Sequence, residues 1–298
     1  PISYIIEQRE AIPSLLTYWG AAFKATLPLS QTMRLEGKLA ALVSVRESLQ
    51  ATSTQVNRTD FVLAPELRFV MDNSEMGYFG PTSGARSFVQ VEGVPGMAGQ
   101  SFARIFGDYR QYIPIKNIAT VVGRVAAGTN LGGTQQNFLA GGQENVVLGR
   151  SIGPDILPFN RAEDIYFAQA VMPMRAFSIA DAQGRNFFVA NLECRVSILS
   201  SENTSGFLNS LLNGLQGVVF VDAGSAWTNT LRLNTPRALF DTFNQYVGLA
   251  DGDLLVSVGV GLRTYLLGQY PIKVDMAWQN LQGGLMLPRV VVGFGYNF

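Results

Sequence analysis

The sequence predicts an all-β protein, and its pattern fits either a transmembrane antiparallel β-barrel or a soluble sandwich or barrel. Long segments alternate polar and apolar residues, which is the period-two pattern of a strand with two unlike faces. These segments are long for soluble strands, and their polar faces carry full charges of both signs. In a soluble sheet the apolar face packs into a core, whereas in a membrane barrel it contacts lipid. The alternation alone leaves both architectures open.

The first regular strand is predicted between residues 32 and 46, where polar Glu36 and Lys38 alternate with apolar Leu35 and Leu39. The same regular pattern returns in four later segments, at 188–198, 254–266, 272–279 and 290–298. Weaker strands are predicted at about 2–8, 15–27, 59–72, 85–95, 100–115, 117–131 and 213–227. The segments 136–185 and 228–250 lack the pattern and leave room for short helices. The chain is therefore expected to form about twelve strands.

Three details favour the membrane barrel. The predicted strands run to about 10–15 residues, whereas tilted spanning strands need about 9–11 and soluble strands average about 5–6. Charges of both signs mix with glycine on the polar faces, as at Glu193 and Arg195, which suits a wet or ion-paired lumen. Aromatic residues recur near the predicted strand ends, as an interfacial girdle requires: Trp19, Trp227, Tyr265, Trp278, Tyr296 and Phe298.

Composition excludes several classes of function. Lys+Arg 22 balance Asp+Glu 22, so the chain lacks the basic footprint of a nucleic-acid binder. With no histidine and a single cysteine, Cys194, the chain offers no zinc finger, no His-based catalytic triad and no internal disulfide. The acidic pair Glu163 and Asp164 is typical of a solvated loop, and Gly259 and Gly261 lie within a strand rather than at a helix start. The sequence therefore predicts no enzyme, no cofactor and no metal site.

The chain ends in alternating aromatic and small or polar residues, with a phenylalanine last. This ending resembles the signal by which the assembly machinery of the outer membrane recognises its barrels. The resemblance implies that the signal consists of Gly293, Phe294, Tyr296 and Phe298, and that the assembly machinery is a partner during biogenesis. One departure is Val291, where the signal usually has a polar residue.

The segment 220–224 reads Phe-Val-Asp-Ala-Gly and is followed by Trp227. It resembles the Phe-x-Asp-x-Gly strand of the Omp85 superfamily, the outer-membrane assembly and secretion barrels. Further segments that resemble strands and turns of this family follow in the expected order: 66–69, 72–84, 141–142, 191–195 and 259–275. Together these segments cover roughly residues 60–298.

The resemblance implies a barrel of about sixteen strands, in contact with the lipid of the outer membrane of a Gram-negative bacterium. Residues 1–298 then form one outer-membrane barrel domain. The first strands of the barrel, and any N-terminal periplasmic domain, are expected to precede Pro1.

The best match to the hallmark of the superfamily, an Arg-Gly-aromatic tripeptide at the tip of a long loop, is Arg175-Ala176-Phe177. It lies in the long irregular stretch before the strand that contains Glu193. The resemblance implies that the loop folds into the lumen, where Arg175 pairs with Asp222 and Glu193, and Phe177 is its aromatic residue. A guanidinium held by two bonds to one carboxylate fixes the position of a loop as well as its charge. Ala176 replaces the glycine of the family, which leaves the tip fewer allowed backbone angles.

Two functions stay open for such a barrel. It inserts or translocates proteins without catalytic residues, using the weakly paired seam between its first and last strands as an edge that templates an incoming strand. In this chain the seam falls at residues 289–298. Alternatively, it is a passive pore or a membrane anchor for a fused N-terminal periplasmic domain. Periplasmic or outer-membrane proteins are expected partners, nucleic acid is not, and the terminal aromatic motif argues against a soluble lipocalin-like binding protein.

Overall fold

The structure is a computed structural model, and it describes residues 2–6, 14–48, 58–97, 99–116, 118–134, 136–148, 167–197, 215–240, 246–266, 270–282, 284–285 and 287–295. Within these ranges the chain forms twenty strands. No helix in the described part is long and apolar enough to cross a bilayer.

The strands are β1 (Ile2–Ile6), β2 (Ser14–Pro28), β3 (Met33–Ser48), β4 (Arg58–Asp72), β5 (Glu75–Gly77), β6 (Gly80–Met97), β7 (Gln100–Ile115), β8 (Ala119–Gly132), β9 (Phe138–Ala140), β10 (Val146–Leu148), β11 (Gln169–Val171), β12 (Ala182–Gly184), β13 (Asn186–Ser197), β14 (Gln216–Trp227), β15 (Arg237–Phe240), β16 (Tyr246–Ala250), β17 (Leu255–Leu266), β18 (Tyr270–Leu281), β19 (Gly284–Leu285) and β20 (Arg289–Phe294).

Fifteen of the described strands form one sheet, in the order β1-β2-β3-β4-β6-β7-β8-β13-β14-β17-β18-β20-β10, with β5 beside β6 and β19 beside β18. Neighbours in this sheet are antiparallel, as in the long pairs β2 with β3 and β7 with β8. We call this sheet the wall. Apart from the short strands, strands that follow one another along the chain are neighbours in the wall, as in an up-and-down barrel. The exception is β10, which comes from the loop between β8 and β13 and pairs with β20.

The strands are inverted relative to those of a soluble sheet, because their charged side chains are buried and their apolar side chains are exposed. On β13, Glu193 is 1% exposed whereas its neighbour Leu192 is 56% exposed. On β14, Asp222 is fully buried whereas Val221 is 42% exposed. A soluble protein buries its apolar face in a core, whereas a membrane barrel turns its apolar face outward to contact lipid. The inversion confirms the membrane-barrel prediction over the soluble alternative.

The strands predicted from the alternation are confirmed in their described parts, with ends that fall within a few residues of the expected ones. Residues 7–8, 117, 198, 213–214 and 296–298 of these predictions lie outside the described residues. The prediction at 32–46 corresponds to β3, and the prediction at 213–227 corresponds to β14. The two irregular segments contain short strands in their described parts, β9 to β12 in the first and β15 to β16 in the second. Short pairings of this kind satisfy backbone N–H and C=O groups that leave bulk water.

Contacts between distant strands show that the sheet curls strongly toward its polar face. Tyr265, near the end of β17, donates a hydrogen bond from its hydroxyl to the carbonyl of Tyr78, between β5 and β6. The ring of Tyr265 lies 4.8 Å from that of Tyr78 and 5.3 Å from that of Phe79, measured between centroids. Four strands, β7, β8, β13 and β14, separate β6 from β17 in the sheet. The turn before β6 therefore reaches across one mouth of the polar interior.

Candidate functional site

The loop between β8 and β13 packs against the inner, polar face of the sheet. Its strand β9 pairs in parallel with β11 and antiparallel with β12. The N–H of Gly142 donates to the carbonyl of Phe177 at 3.0 Å, and the N–H of Met174 donates to the carbonyl of Gly142 at 2.9 Å. The peptide groups of the tip are thus satisfied within the loop, as a backbone removed from water requires. This small fold presents Arg175 to the wall.

Arg175 is completely buried and joins the loop to two strands of the wall. Its Nε donates to Oδ2 of Asp222 at 2.7 Å, and its Nη2 donates to Oδ1 of the same carboxylate at 2.6 Å. Its Nη1 donates to Oε1 of Glu193 at 2.5 Å, on the neighbouring strand β13. The ring of Phe220 lies under the guanidinium, 3.5 Å from its central carbon. The contact to Asp222 is the bidentate arrangement that gives arginine its geometric specificity.

Both carboxylates accept further hydrogen bonds from side chains of β13. Asn191 donates from Nδ2 to Oδ1 of Asp222 at 2.8 Å and to the carbonyl of Pro173 at 2.9 Å. Arg195 donates from Nε to Oε2 of Glu193 at 2.8 Å. Asn191 and Arg195 were missing from the predicted site, although they lie on the same face of β13 as Glu193. The period of two along this strand is the signal that identifies them.

Arg175 keeps its positive charge although it is removed from water. Burial opposes the charge on Arg175, but the carboxylates of Asp222 and Glu193 outweigh it and raise the pKa of the guanidinium above its ordinary value. Breaking a buried pair of this kind by removing one partner costs about 3–5 kcal/mol, because the other charge stays buried without compensation. The arrangement therefore holds the loop strongly and in one geometry.

Ala176, at the position where the motif that this loop tip resembles has glycine, adopts the backbone conformation that glycine favours. Its φ is 72°, in the left-handed region that residues with a Cβ enter only at a cost. Its carbonyl accepts a hydrogen bond from Nε2 of Gln279, on β18, at 2.5 Å. Its methyl group packs with Val218, Phe220 and Ala277. The tip thus keeps the tight turn, and contacts to two wall strands, β14 and β18, compensate for the strain.

Phe177 anchors the same loop through apolar contacts. It is buried in a cluster that unites loop residues with inward-facing wall residues: Ala126, Phe138, Ala140, Val171, Met174, Phe177, Ala182, Phe187, Val189, Ala226, Leu255 and Leu281. The rings of Phe138 from the loop and Phe187 from β13 lie 4.4 Å apart between centroids. The loop is therefore held by hydrophobic burial in addition to its ion pairs.

Two arginines of the wall bind carbonyl groups of the loop. Arg124, on β8, donates from Nη1 to the carbonyl of Met172 at 2.6 Å, and its Nη2 lies 2.7 Å from Oδ2 of Asp108. Arg104, on β7, donates from Nη2 to the carbonyl of Phe167 at 2.5 Å. Sequence reasoning did not identify these contacts, because the acceptors are backbone atoms and carry no residue signature.

The four residues of the predicted assembly signal fall partly outside the described residues. Gly293 is buried on β20 and Phe294, at the end of that strand, points outward and is 44% exposed. Tyr296 and Phe298 lie outside the described part. The assembly signal therefore stays a prediction from the sequence.

Metal-binding chemistry finds no support in the described residues. Among them, no three acidic or cysteine side chains lie close enough together to hold a metal ion. The charged groups of the interior instead pair with one another or with the loop.

Comparisons with known proteins identify the family. A model of the Omp85 superfamily domain matches residues 20–297. The crystal structure of BamA from Haemophilus ducreyi lacking POTRA domains 1–3 superposes with a TM-score of 0.59 at 14% identity, covering 99% of this chain and 57% of that one. CdiB from Acinetobacter baumannii superposes with a TM-score of 0.47 at 11% identity, covering 95% of this chain and 42% of that one. No curated protein matches the sequence. The chain belongs to the Omp85 superfamily.

Proposed function

We propose that this chain is the barrel of a protein that inserts or translocates other proteins at the outer membrane of a Gram-negative bacterium. The observation that carries the proposal is the buried network of Arg175, Asp222 and Glu193, which holds a long loop inside an Omp85-type barrel. The loop occupies the interior through which solutes would pass, and the bidentate contact holds its tip in one geometry.

The last strand supports a mechanism without catalytic residues. β20 is the last strand of the main sheet along the described chain, and it pairs with β18. The edge of a strand is a template for another strand. The work is then done by backbone pairing and lipid contact, and we propose no enzymatic step.

The second candidate is a passive pore or a membrane anchor for a fused N-terminal periplasmic domain. The pore is disfavoured by two features of the interior. The loop fills the lumen near Arg175, and the contact of Tyr265 with Tyr78 reaches across one mouth. A membrane anchor requires no particular arrangement of side chains in the lumen. An experiment therefore distinguishes an anchor from an insertion or translocation barrel.

Depletion of the full-length protein in its native host tests the proposal. We expect one or more outer-membrane or secreted proteins to fall in abundance, and wild-type protein to restore them. Replacement of residues 1–298 by an unrelated barrel of similar size is the control, because it keeps the anchor and removes the machinery. Full rescue by the unrelated barrel would favour the anchor, and unchanged proteomes after depletion would overturn the proposal.

If the proposal holds, outer-membrane lipid and the barrel-assembly machinery are partners during biogenesis. Periplasmic or outer-membrane proteins would be partners during function. Crosslinking in intact cells followed by mass spectrometry identifies them.

A further inference from the structure

Strands β4 and β6 are paired over only part of their length. Their ladder ends at the pair of Glu66 with Glu92, although β4 also contains residues 58–65 and β6 also contains residues 93–97. Each of these segments stays paired on its other side, β4 with β3 and β6 with β7. The wall therefore has a split between β4 and β6, which begins next to this last pair.

A proline lies on each side of the split. Pro65 is on β4, next to the last pair, and Pro95 is on β6, where it is followed by Gly96 with a φ of 74°. The register of β6 against β7 shifts between Val94 and Met97. Proline has no N–H to donate and occurs at strand edges and bulges, so these residues explain why the ladder ends here. They also make both edges poor templates for a further strand.

On the outer side of the wall, the split opens into a groove of about 620 Å³. The small residues Gly93 and Ala103, which pair with each other across β6 and β7, lie in this groove. Larger apolar residues of β4, β6 and β8 line it as well: Pro65, Leu67, Val91, Pro95 and Leu131. The volume is within the range of about 300–1,000 Å³ that is usual for ligand sites.

The interior behind the groove is apolar, in contrast to the charged interior near Arg175. Val94 and Phe102 cluster with Leu42 and Val62 of the wall and with Phe167 of the loop. The rings of Phe102 and Phe167 lie 5.1 Å apart between centroids. Apolar packing therefore closes the groove toward the lumen.

The two acidic residues at the groove do not make it polar, because their carboxylates are bound on the lumen side. The Nζ of Lys38 lies 3.2 Å from Oε2 of Glu66, and Nη1 of Arg104 lies 2.6 Å from Oε1 of Glu92. The surface that remains for an occupant of the groove is therefore largely apolar.

The groove is continuous with the surface that contacts lipid. Leu67, Val91 and Leu131 are 53%, 46% and 52% exposed and belong to the outward apolar face of the wall. In a bilayer, lipid is the molecule that reaches this face. An acyl chain needs apolar surface and no hydrogen-bond donors, whereas a peptide strand needs N–H and C=O partners that the proline-bearing edges offer poorly.

We propose that the groove between β4, β6 and β7 binds one acyl chain of a membrane phospholipid. The chain occupies the space above Gly93 and Ala103 and fills the wall on its outer side where the ladder between β4 and β6 is missing. The proposal depends on the membrane-barrel fold and is independent of the proposed function.

A phosphatidylethanolamine with a photoactivatable diazirine on its acyl chain tests the site. The full-length protein is reconstituted in vesicles of phosphatidylethanolamine and phosphatidylglycerol, and labelled positions are mapped by mass spectrometry. In the wild type we expect the label to concentrate on the groove. In Ala103→Leu this labelling should fall at least about fivefold, because leucine fills part of the volume that the chain needs.

The matched control is Ala127→Leu, at an exposed position of β8 that does not line the groove. Its labelling should equal that of the wild type. Both substitutions add apolar surface, so an unspecific lipid contact would be kept or strengthened in Ala103→Leu. Unchanged labelling in Ala103→Leu would overturn the proposal, and so would wild-type label spread evenly over the outward faces of the described wall strands.

A second filling variant, Ser101→Leu, replaces Ala103→Leu if that protein does not fold, as judged on gels without heating. Ser101 is exposed and lines the same groove. The distribution of label on the wild type decides the question without any substitution.

Lipid retention in mild detergent gives an independent readout. Mass spectrometry of the intact protein should show one bound phospholipid on the wild type and on Ala127→Leu. The lipid-bound fraction of Ala103→Leu should be at least about fivefold lower, because less of the groove is left for the chain. Equal bound fractions in the three proteins, including an absence of bound lipid from all of them, would contradict the site.

Discussion

Arg175 binds both carboxylate oxygens of Asp222 with its side chain and one of them again with its own backbone. Nε and Nη2 lie 2.7 Å and 2.6 Å from the two oxygens, and the N–H of Arg175 donates to Oδ2 at 3.0 Å. Side chain and main chain of the loop tip are therefore fixed by one wall residue. A single carboxylate therefore accepts three hydrogen bonds from the loop tip.

Removing either partner should release the loop. For Asp222→Ala or Arg175→Ala we expect a loss of about 3–5 kcal/mol in loop anchoring, because one charge stays buried and uncompensated. Protease cleavage between β8 and β13 should then be at least about tenfold faster, and conductance in planar bilayers should rise. Both variants should still insert into the membrane, since the backbone pairing of the wall strands and their outward apolar side chains are unchanged.

The control for this prediction is Arg237→Ala, because the pair of Arg237 with Asp251 is exposed. Its loss should cost less than about 1 kcal/mol. Unchanged cleavage and conductance in both variants of the buried pair would show that the ion pairs do not hold the loop.

The strained tip predicts opposite outcomes for two substitutions of Ala176. Ala176→Val should destabilise the loop by about 1–3 kcal/mol, because a β-branched residue at a φ of 72° is strained and the methyl already contacts Phe220. Ala176→Gly should keep the loop in place, since glycine adopts this backbone without strain. Protease cleavage of the loop in the two variants distinguishes them. Equal sensitivity would contradict the backbone argument.

The contact across the mouth predicts a graded response at Tyr265. Tyr265→Phe removes the hydrogen bond to Tyr78 and keeps the ring contacts, so its effect should be small. Tyr265→Ala removes both, and ring contacts contribute about 0.5–1.5 kcal/mol. We expect faster amide exchange in the turn of Tyr78 and Phe79 for the alanine variant. If the alanine and phenylalanine variants behave alike, the rings do not hold the turn.

The terminal aromatic residue predicts an effect on biogenesis. Deletion of Phe298 should lower the amount of folded barrel in the outer-membrane fraction, because the assembly machinery is expected to read this position. Phe298→Tyr keeps an aromatic ring and is the matched control. The level of folded protein on gels without heating measures the outcome. Normal levels after the deletion would show that the signal lies elsewhere.

Much of the wall could be predicted because its signal is local. In β3, the alternation of Glu36 and Lys38 with Leu35 and Leu39 follows from the geometry of one strand in isolation. The same rule placed Glu193 and Asp222 on polar faces. The pairing of these two carboxylates with Arg175 was then predicted from the family motif. Membership of the Omp85 superfamily was likewise predicted from ordered motifs and is confirmed by the family match.

Contacts that join distant segments could not be predicted in this way. Arg124 and Arg104 donate to carbonyls of Met172 and Phe167, and any residue type offers such an acceptor. The three residues of β10 are too few for a periodic pattern, and their pairing with β20 crosses more than a hundred positions of the chain. Nothing local distinguishes this segment from an ordinary loop.

By itself the sequence determined the strands, their two unlike faces and the family, because side-chain alternation and motif order are properties of neighbouring residues. Only the tertiary structure decided which face is buried, which loop carbonyls the wall arginines bind and which segment lies on the edge of β20. These depend on how the sheet curls and where the loop returns to it. Both follow from packing between residues far apart in the chain.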